Sequence, residues 1–283
     1  MSASVVPLIT REVSGRLDRA REVGETAVEL SLDLGRSLVS VQVDQGNWWT
    51  NNRKFPFLER CKERTIYYWD GQGFEPVSRF GGSLIKLVPT PWGPPTFEID
   101  GIKMLPSEHV SPWEDAERKA ALVKPAGKVI LDTCGGLGYF ASACLRASAL
   151  KVLSFEKNPD VLWLRTLNPW SPGSAWSAHE ASRLTLVEGD ITDEIRGLPA
   201  ASVQAILHDP PRFGIAGELY SQVFYDELAR VLMPRGLMFH YTGRPNRLTS
   251  GRDVPAEVAH RLRAAGFTTA LSGDGVLATK KRR

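Results

Sequence analysis

Cysteine is scarce. Cys61, Cys134 and Cys144 are the only three in 283 residues, widely spaced and with no CxxC pair. That count and spacing exclude a disulfide framework and a structural zinc site, and they fit a reducing compartment. No apolar run reaches membrane-spanning length, and the first twenty residues carry too many alternating charges for a secretory signal. The expectation is a cytoplasmic chain with no membrane partner and no metal. A large charge excess is also missing. The formal net charge is +3 with a pI near 8.8, too mild to argue for a polyanionic partner. The Lys280, Lys281, Arg282, Arg283 run reads as a solvated tail. At 42% hydrophobic and 24% charged residues, disorder is excluded as well.

What is present is an organising stretch from Lys128 to Glu156. An apolar run, Val129 to Leu131, ends in Asp132; then come Thr133-Cys134-Gly135-Gly136-Leu137-Gly138, a small-residue helix, and a second apolar run closing on Phe155-Glu156. Strand, glycine turn, helix and strand make a nucleotide-binding βαβ unit. Further strands are expected at Leu184 to Val187, Val203 to Leu207 and Leu237 to Tyr241. Helices are expected at Gly138 to Arg146, Asp160 to Leu167, Glu218 to Leu232 and Pro255 to Ala265. Thr268 to Leu271 and Val276 to Thr279 flank Ser272-Gly273-Asp274-Gly275 as an antiparallel edge pair. The pattern is an α/β Rossmann-like sheet with helices on both faces, too short in repeats for a (β/α)8 barrel.

Residues 1–110 read as a small antiparallel β domain, and residues 111–283 as the Rossmann-like domain. A β-hairpin is expected from Val28 to Leu32 with Leu38 to Val43, and further strands at Leu84 to Val88 and Thr96 to Ile99. Arg11 to Glu25 fits either a helix or turns, and Phe55 to Cys61 fits a short helical turn. Five of the eight Trp residues precede Glu114, where large aromatics would fill a thin core. Trp48-Trp49 and Trp92, placed in turns, are available to line a substrate mouth. Ser111-Pro112-Trp113-Glu114-Asp115 has the order of a capped helix start linking the domains. Asn168 to Ala181 is an insertion that reads as a lid or a surface loop.

The glycine turn lacks G-x-G-x-x-G, the spacing that lets a pyrophosphate approach a helix N-terminus. Asp132 before it would repel a pyrophosphate and favour a cationic amine, such as the ammonium of S-adenosylmethionine. Glu156 is placed for both ribose hydroxyls, Asp190 for the adenine amine, and Ile191 for the ring. Cys134, Gly135, Gly136, Gly138 and Lys157 complete the expected cofactor set. At the fourth strand end, His208-Asp209-Pro210-Pro211-Arg212-Phe213 supplies a stiffened loop. Asp209 beside the sulfonium would orient an attacking amine and accept its proton. His208 is an alternative base or a hydrogen-bonded residue at the strand end, Arg212 would pair with Asp209 or a substrate anion, and Phe213 would stack on a flat substrate or pack on the cofactor. Pro210, Pro211, Tyr220 and Tyr241 complete the expected acceptor site. The following strand, Phe239-His240-Tyr241-Thr242-Gly243-Arg244, has no Cys, which argues against covalent ring-carbon methylation.

These motifs resemble those of class I S-adenosylmethionine-dependent methyltransferases. Gly217 to Leu232 with Pro234-Arg235-Gly236, and upstream Glu98 to Met104 and Trp113 to Lys119, look like segments of the spermidine synthases. The whole chain is similar to a spermidine synthase-like group of predicted methyltransferases, mainly archaeal. The resemblance implies methyl transfer to a nitrogen or other heteroatom of a small molecule or an exposed macromolecular site. Its alternatives are aminopropyl transfer from decarboxylated S-adenosylmethionine, and methylation of an RNA or DNA base. Against aminopropyl transfer, Leu207-His208-Asp209-Pro210-Pro211 keeps one of the two acids of the synthase loop. A nucleic-acid partner would have to use Arg53, Lys54, Arg60, Lys62 and Arg64, which Glu59 and Glu63 dilute. The synthase resemblance also implies a homodimer through the β domain.

Overall fold

The computed structural model describes residues 6–173, 177–243 and 253–282. The chain forms two compact units, Met1–Pro112 with Trp163–Ser174, and Trp113–Leu162 with Ala175–Arg283.

Among the described residues the first unit holds three small antiparallel sheets, one whole helix and, at residues 163–167, the end of another. β1 (Leu8–Ile9) leads into α1 (Arg11–Val23), which settles the ambiguous N-terminal stretch as helical. The Thr10 hydroxyl caps α1 by accepting from the Val13 amide, and Gly24 ends it at φ 73°. β2 (Ala27–Leu30), β3 (Val39–Val43), β4 (Asn47–Thr50) and β5 (Arg53–Pro56) form one meander. β6 (Tyr67–Trp69) pairs with β1 and with β7 (Phe74–Pro76). β8 (Ser78–Phe80), β9 (Leu84–Val88), β10 (Thr96–Ile99) and β11 (Ile102–Lys103) form the third sheet.

Two expectations are corrected here. Trp48 and Trp49 lie in β4, and Phe55 and Pro56 continue in β5 rather than starting a helical turn. The cause is Asn51-Asn52, both left-handed at φ 49° and 58°, which close a two-residue hairpin. Trp48 then stacks on its cross-strand partner Phe55 at 4.6 Å and is 1% exposed, so it is core and lines no substrate mouth. Residues 168–173 of the insertion are part of this unit, where the Trp170 indole donates to the Leu34 carbonyl at 3.0 Å. Residues 174–176 of the expected lid or loop, and Arg244, lie outside the described residues.

The second unit holds, in chain order, α2 (Pro112–Val123), β12 (Val129–Asp132), α3 (Tyr139–Arg146), β13 (Lys151–Glu156), α4 (Pro159–Leu167), α5 (Ala178–Ser182), β14 (Leu184–Glu188) and α6 (Ile191–Glu194). β15 (Val203–His208), α7 (Gln222–Val231), β16 (Leu232–Tyr241), α8 (Val254–Ala264), β17 (Phe267–Ser272) and β18 (Gly275–Lys280) follow. The sheet order is β14-β13-β12-β15-β16-β18-β17, parallel from β14 to β16 and antiparallel beyond. This is the Rossmann-like methyltransferase sheet with a C-terminal antiparallel pair. Strand order reverses between β12 and β15, and in such sheets the ligand crevice opens at the carboxyl ends beside that point.

The helix expected from Glu218 to Leu232 is broken. Gly217–Tyr220 is a 3-10 turn, and Ser221 caps α7 by accepting from the Phe224 amide at 3.1 Å. β16 starts at Leu232, because Leu232 pairs with Val203 and a bulge carries the register to Ala205 opposite Leu237. At its other end Tyr241 faces Gly275, where a Cβ would meet the His240 carbonyl at 2.3 Å. Only glycine allows that approach, which lets the Asp274 carbonyl accept from the Thr242 and Gly243 amides at 3.0 Å each. Among the described residues no helix is long and apolar enough to cross a membrane.

Candidate active site at the carboxyl edge of the sheet

The turn after β12 is tied to both neighbouring strands. The Thr133 amide donates to the Leu207 carbonyl at 3.2 Å, and the Gly135 amide to the Phe155 carbonyl at 2.7 Å. Gly136 and Gly138, at φ 48° and 81°, bend the chain into α3. The Gly136 amide then donates to Glu156 Oε2, and the Asn158 amide to Glu156 Oε1, each at 2.9 Å. Both oxygens of Glu156 are thus aimed by main chain.

Asp132 sits differently from the sequence expectation. It is 1% exposed, and the Ser154 hydroxyl, on the strand beside it, donates to its Oδ2 at 2.9 Å. It offers a ligand amine almost no surface, so the open contact expected there becomes a carboxyl beneath the turn. Asp190 caps α6: its Oδ1 accepts from the Thr192 amide at 2.9 Å and hydroxyl at 2.8 Å, and Lys157 donates to Oδ2 at 3.2 Å. Burial pulls the Asp190 carboxyl upward, but these Thr192 and Lys157 contacts outweigh it and hold it below the ordinary range. Ile191 is buried beside it. The Cys134 thiol is pushed well up, by burial first and Glu156 second, which disfavours the thiolate a nucleophile needs.

The fourth strand end holds a group absent from the sequence reading. Lys119 of α2 is 2% exposed and donates to Asp209 Oδ2 at 2.6 Å and to Asp115 Oδ2 at 2.8 Å. Its ammonium lies 4.0 Å from the centre of the Tyr241 ring. Arg118 extends the chain of charges, contacting Asp115 at 2.8 Å and Asp274 at 2.7 Å. Burial would strip the Lys119 charge, but Asp209 and Asp115 outweigh it and hold the ammonium above the ordinary lysine range. The spacing Asp115, Arg118, Lys119 on one helix was a visible signal for the local pairs. The long-range partner Asp209 was not.

His208 takes the second of its two expected roles, a hydrogen-bonded residue at the strand end, and Tyr220 is corrected. His208 is fully buried; its Nε2 donates to the Leu219 carbonyl at 2.9 Å, so its Nδ1 accepts from the Thr133 hydroxyl at 2.8 Å. Both ring nitrogens are engaged, and it has no free edge to act as a base. His240 packs edge-on to it at 4.4 Å, donating from Nδ1 to the Tyr241 carbonyl and accepting from the Tyr225 hydroxyl, both at 2.9 Å. Tyr220 is 2% exposed, and its hydroxyl supports the loop by donating to the Pro211 carbonyl at 3.0 Å. Phe213 packs edge-on against Tyr220 at 5.4 Å. Arg212 is exposed and does not pair with Asp209, whose partner is Lys119.

The buried imidazoles have a measurable consequence. Burial lowers His208 from 6.5 to about 4 and drives His240 down as well, helped by its neighbour His208. The folded state therefore binds fewer protons than the unfolded chain between these values. Stability is undiminished above pH 6.5 and falls as pH drops toward 4. For His208 alone the loss is roughly 3 kcal/mol. Urea unfolding at pH 7 and pH 4.5 should show this loss, and His208→Gln should flatten the dependence. An equal acid slope in the variant would contradict the assignment.

No family model matches the chain. It is 41% identical over 225 residues to the uncharacterized protein MJ1233 of Methanocaldococcus jannaschii, spanning 78% of this chain and 75% of that protein. This chain belongs to the MJ1233 family. Polyamine aminopropyltransferase 2 of Streptomyces coelicolor is 26% identical over 190 residues, 66% of this chain and 34% of its own length, so the match spans about a third of that relative. The fold is also that of the spermidine synthase of Thermotoga maritima, with TM-score 0.55, 16% identity and 72% of each chain covered. A spermidine synthase in complex with the transition state analogue AdoDATO gives TM-score 0.53 at the same identity and coverage.

Proposed function

We propose that this member of the MJ1233 family is an S-adenosylmethionine-dependent methyltransferase acting on a nitrogen or other heteroatom. The observation that carries the reading is Glu156, with both oxygens oriented by the Gly136 and Asn158 amides beside the glycine turn. Glu156 holds the ribose hydroxyls, and Asp190 with Ile191 holds the adenine. Bound there, S-adenosylmethionine supplies an electrophilic methyl group on a sulfonium. The residues suit such a ligand, since no helix-terminal glycine spacing for a pyrophosphate is present and acids border the turn. Asp209, its Oδ2 on Lys119 and its side chain 20% exposed, orients the acceptor and takes up the proton an N–H acceptor loses.

The second reading is aminopropyl transfer from decarboxylated S-adenosylmethionine. The relatives named aminopropyltransferase and spermidine synthase favour it. The engagement of Asp209 by Lys119 weighs against it. Of the basic residues near β5, Arg64 pairs with Glu98, and Arg11 engages the neighbouring Glu63. One of the five cations a nucleic-acid acceptor would have to use is thereby engaged within the protein. Calorimetry with S-adenosylmethionine, its decarboxylated form and S-adenosylhomocysteine tests the donor. The first and third should bind, and Glu156→Ala should weaken both by roughly 1–3 kcal/mol through a lost charged hydrogen bond. Binding of the decarboxylated form alone would defeat methyl transfer, and an unchanged constant in the variant would defeat the ribose role.

A further inference from the structure

Lys119 has the surroundings of a bound ligand. Two carboxylates, Asp209 and Asp115, accept from its ammonium at 2.6 and 2.8 Å, and the face of Tyr241 lies 4.0 Å away. Two acids and an aromatic face are what a pocket for an alkylammonium consists of. The side chain is 3% exposed, and its partner Asp209 directly follows the last residue of β15 at the crevice. A free amine would have to displace a tethered one, whose effective concentration is far above any in solution.

We infer that the ammonium pocket at Asp209 is occupied by the chain's own Lys119, so that the acceptor is uncharged or anionic at its reacting end and polyamines are excluded. This rests on the reading of the crevice as a transferase site. The charges around the pocket are Asp115, Asp209 and Asp274 against Lys119 and Arg118. One unbalanced acid remains for three carboxylates, too little to grip a chain of several ammonium groups. Specificity here comes from what the site repels as much as from what it holds.

Lys119→Ala empties the pocket, and Lys119→Ala with Asp115→Asn does so while leaving one buried carboxylate fewer around it, a safeguard for folding. Thermal unfolding with n-butylammonium chloride, and calorimetry with spermidine, read the result. Wild type should show no stabilisation and no spermidine binding. The folded variant should be stabilised by n-butylammonium and show spermidine binding that wild type lacks at the same concentrations. Tight spermidine binding by wild type, or no gain in either folded variant, would overturn the inference. S-adenosylhomocysteine is titrated into the same samples. Its failure to bind wild type would overturn the transferase reading and the acceptor class with it, whereas the n-butylammonium result reads the Lys119 pocket by itself.

Discussion

Lys119→Met should destabilise the second unit by about 3–5 kcal/mol, the cost of leaving buried carboxylates without their counter-charge. Asp115 would retain Arg118, but Asp209 has no other cation among the described residues. Adding Asp209→Asn should therefore restore part of the loss, because the stranded charge is removed together with its partner. Both effects are read by urea unfolding at neutral pH, and the double-mutant cycle isolates the pair. A loss below about 1 kcal/mol for Lys119→Met would match an exposed ion pair instead.

The second large effect is on chemistry. Asp209→Asn keeps a carbonyl oxygen for Lys119 and nearly the same shape, but it removes the charge that orients and deprotonates the acceptor. Turnover should fall by about 100- to 10,000-fold, the range for losing a positioned acid–base group. Binding of S-adenosylhomocysteine should change little, since the proposed mode puts the nucleoside on Glu156 and Asp190. Release of S-adenosylhomocysteine in the presence of the acceptor measures it, and full turnover in the variant would remove Asp209 from the mechanism. His208 gives the contrasting control. Its imidazole is spent between Thr133 and Leu219, so His208→Gln should act mainly on stability.

The parts of the fold legible in the sequence were those written in local periodicity. The apolar run ending at Asp132, the glycine turn and the run ending at Glu156 map directly onto β12, α3 and β13. The antiparallel pair around Asp274-Gly275 was equally plain. Elements set by weak turn signals were missed. Asn51-Asn52 closes a hairpin that Asn-Gly would have announced, and Ser221 breaks what reads as one continuous helix. The start of β16 at Leu232 depends on a bulge against β15, a tertiary fact with no local trace.

The site was legible in the same uneven way. Residue types at strand ends marked Glu156, Asp190 and Asp209, because topology brings those ends together. Burial could not be read there. Asp132 is covered, Tyr220 supports a loop, and His208 joins a layer of buried polar groups with Thr133 and His240. Lys119 comes from a helix 90 residues before Asp209, and only the folded chain shows the two in contact.

A crystal structure with S-adenosylhomocysteine tests the central claim most directly. The ribose hydroxyls should lie on the two oxygens of Glu156, the adenine beside Asp190 and Ile191, and the sulfur toward Asp209. A ligand bound elsewhere, or a diphosphate group seated on the Gly135–Gly138 turn in its place, would contradict it.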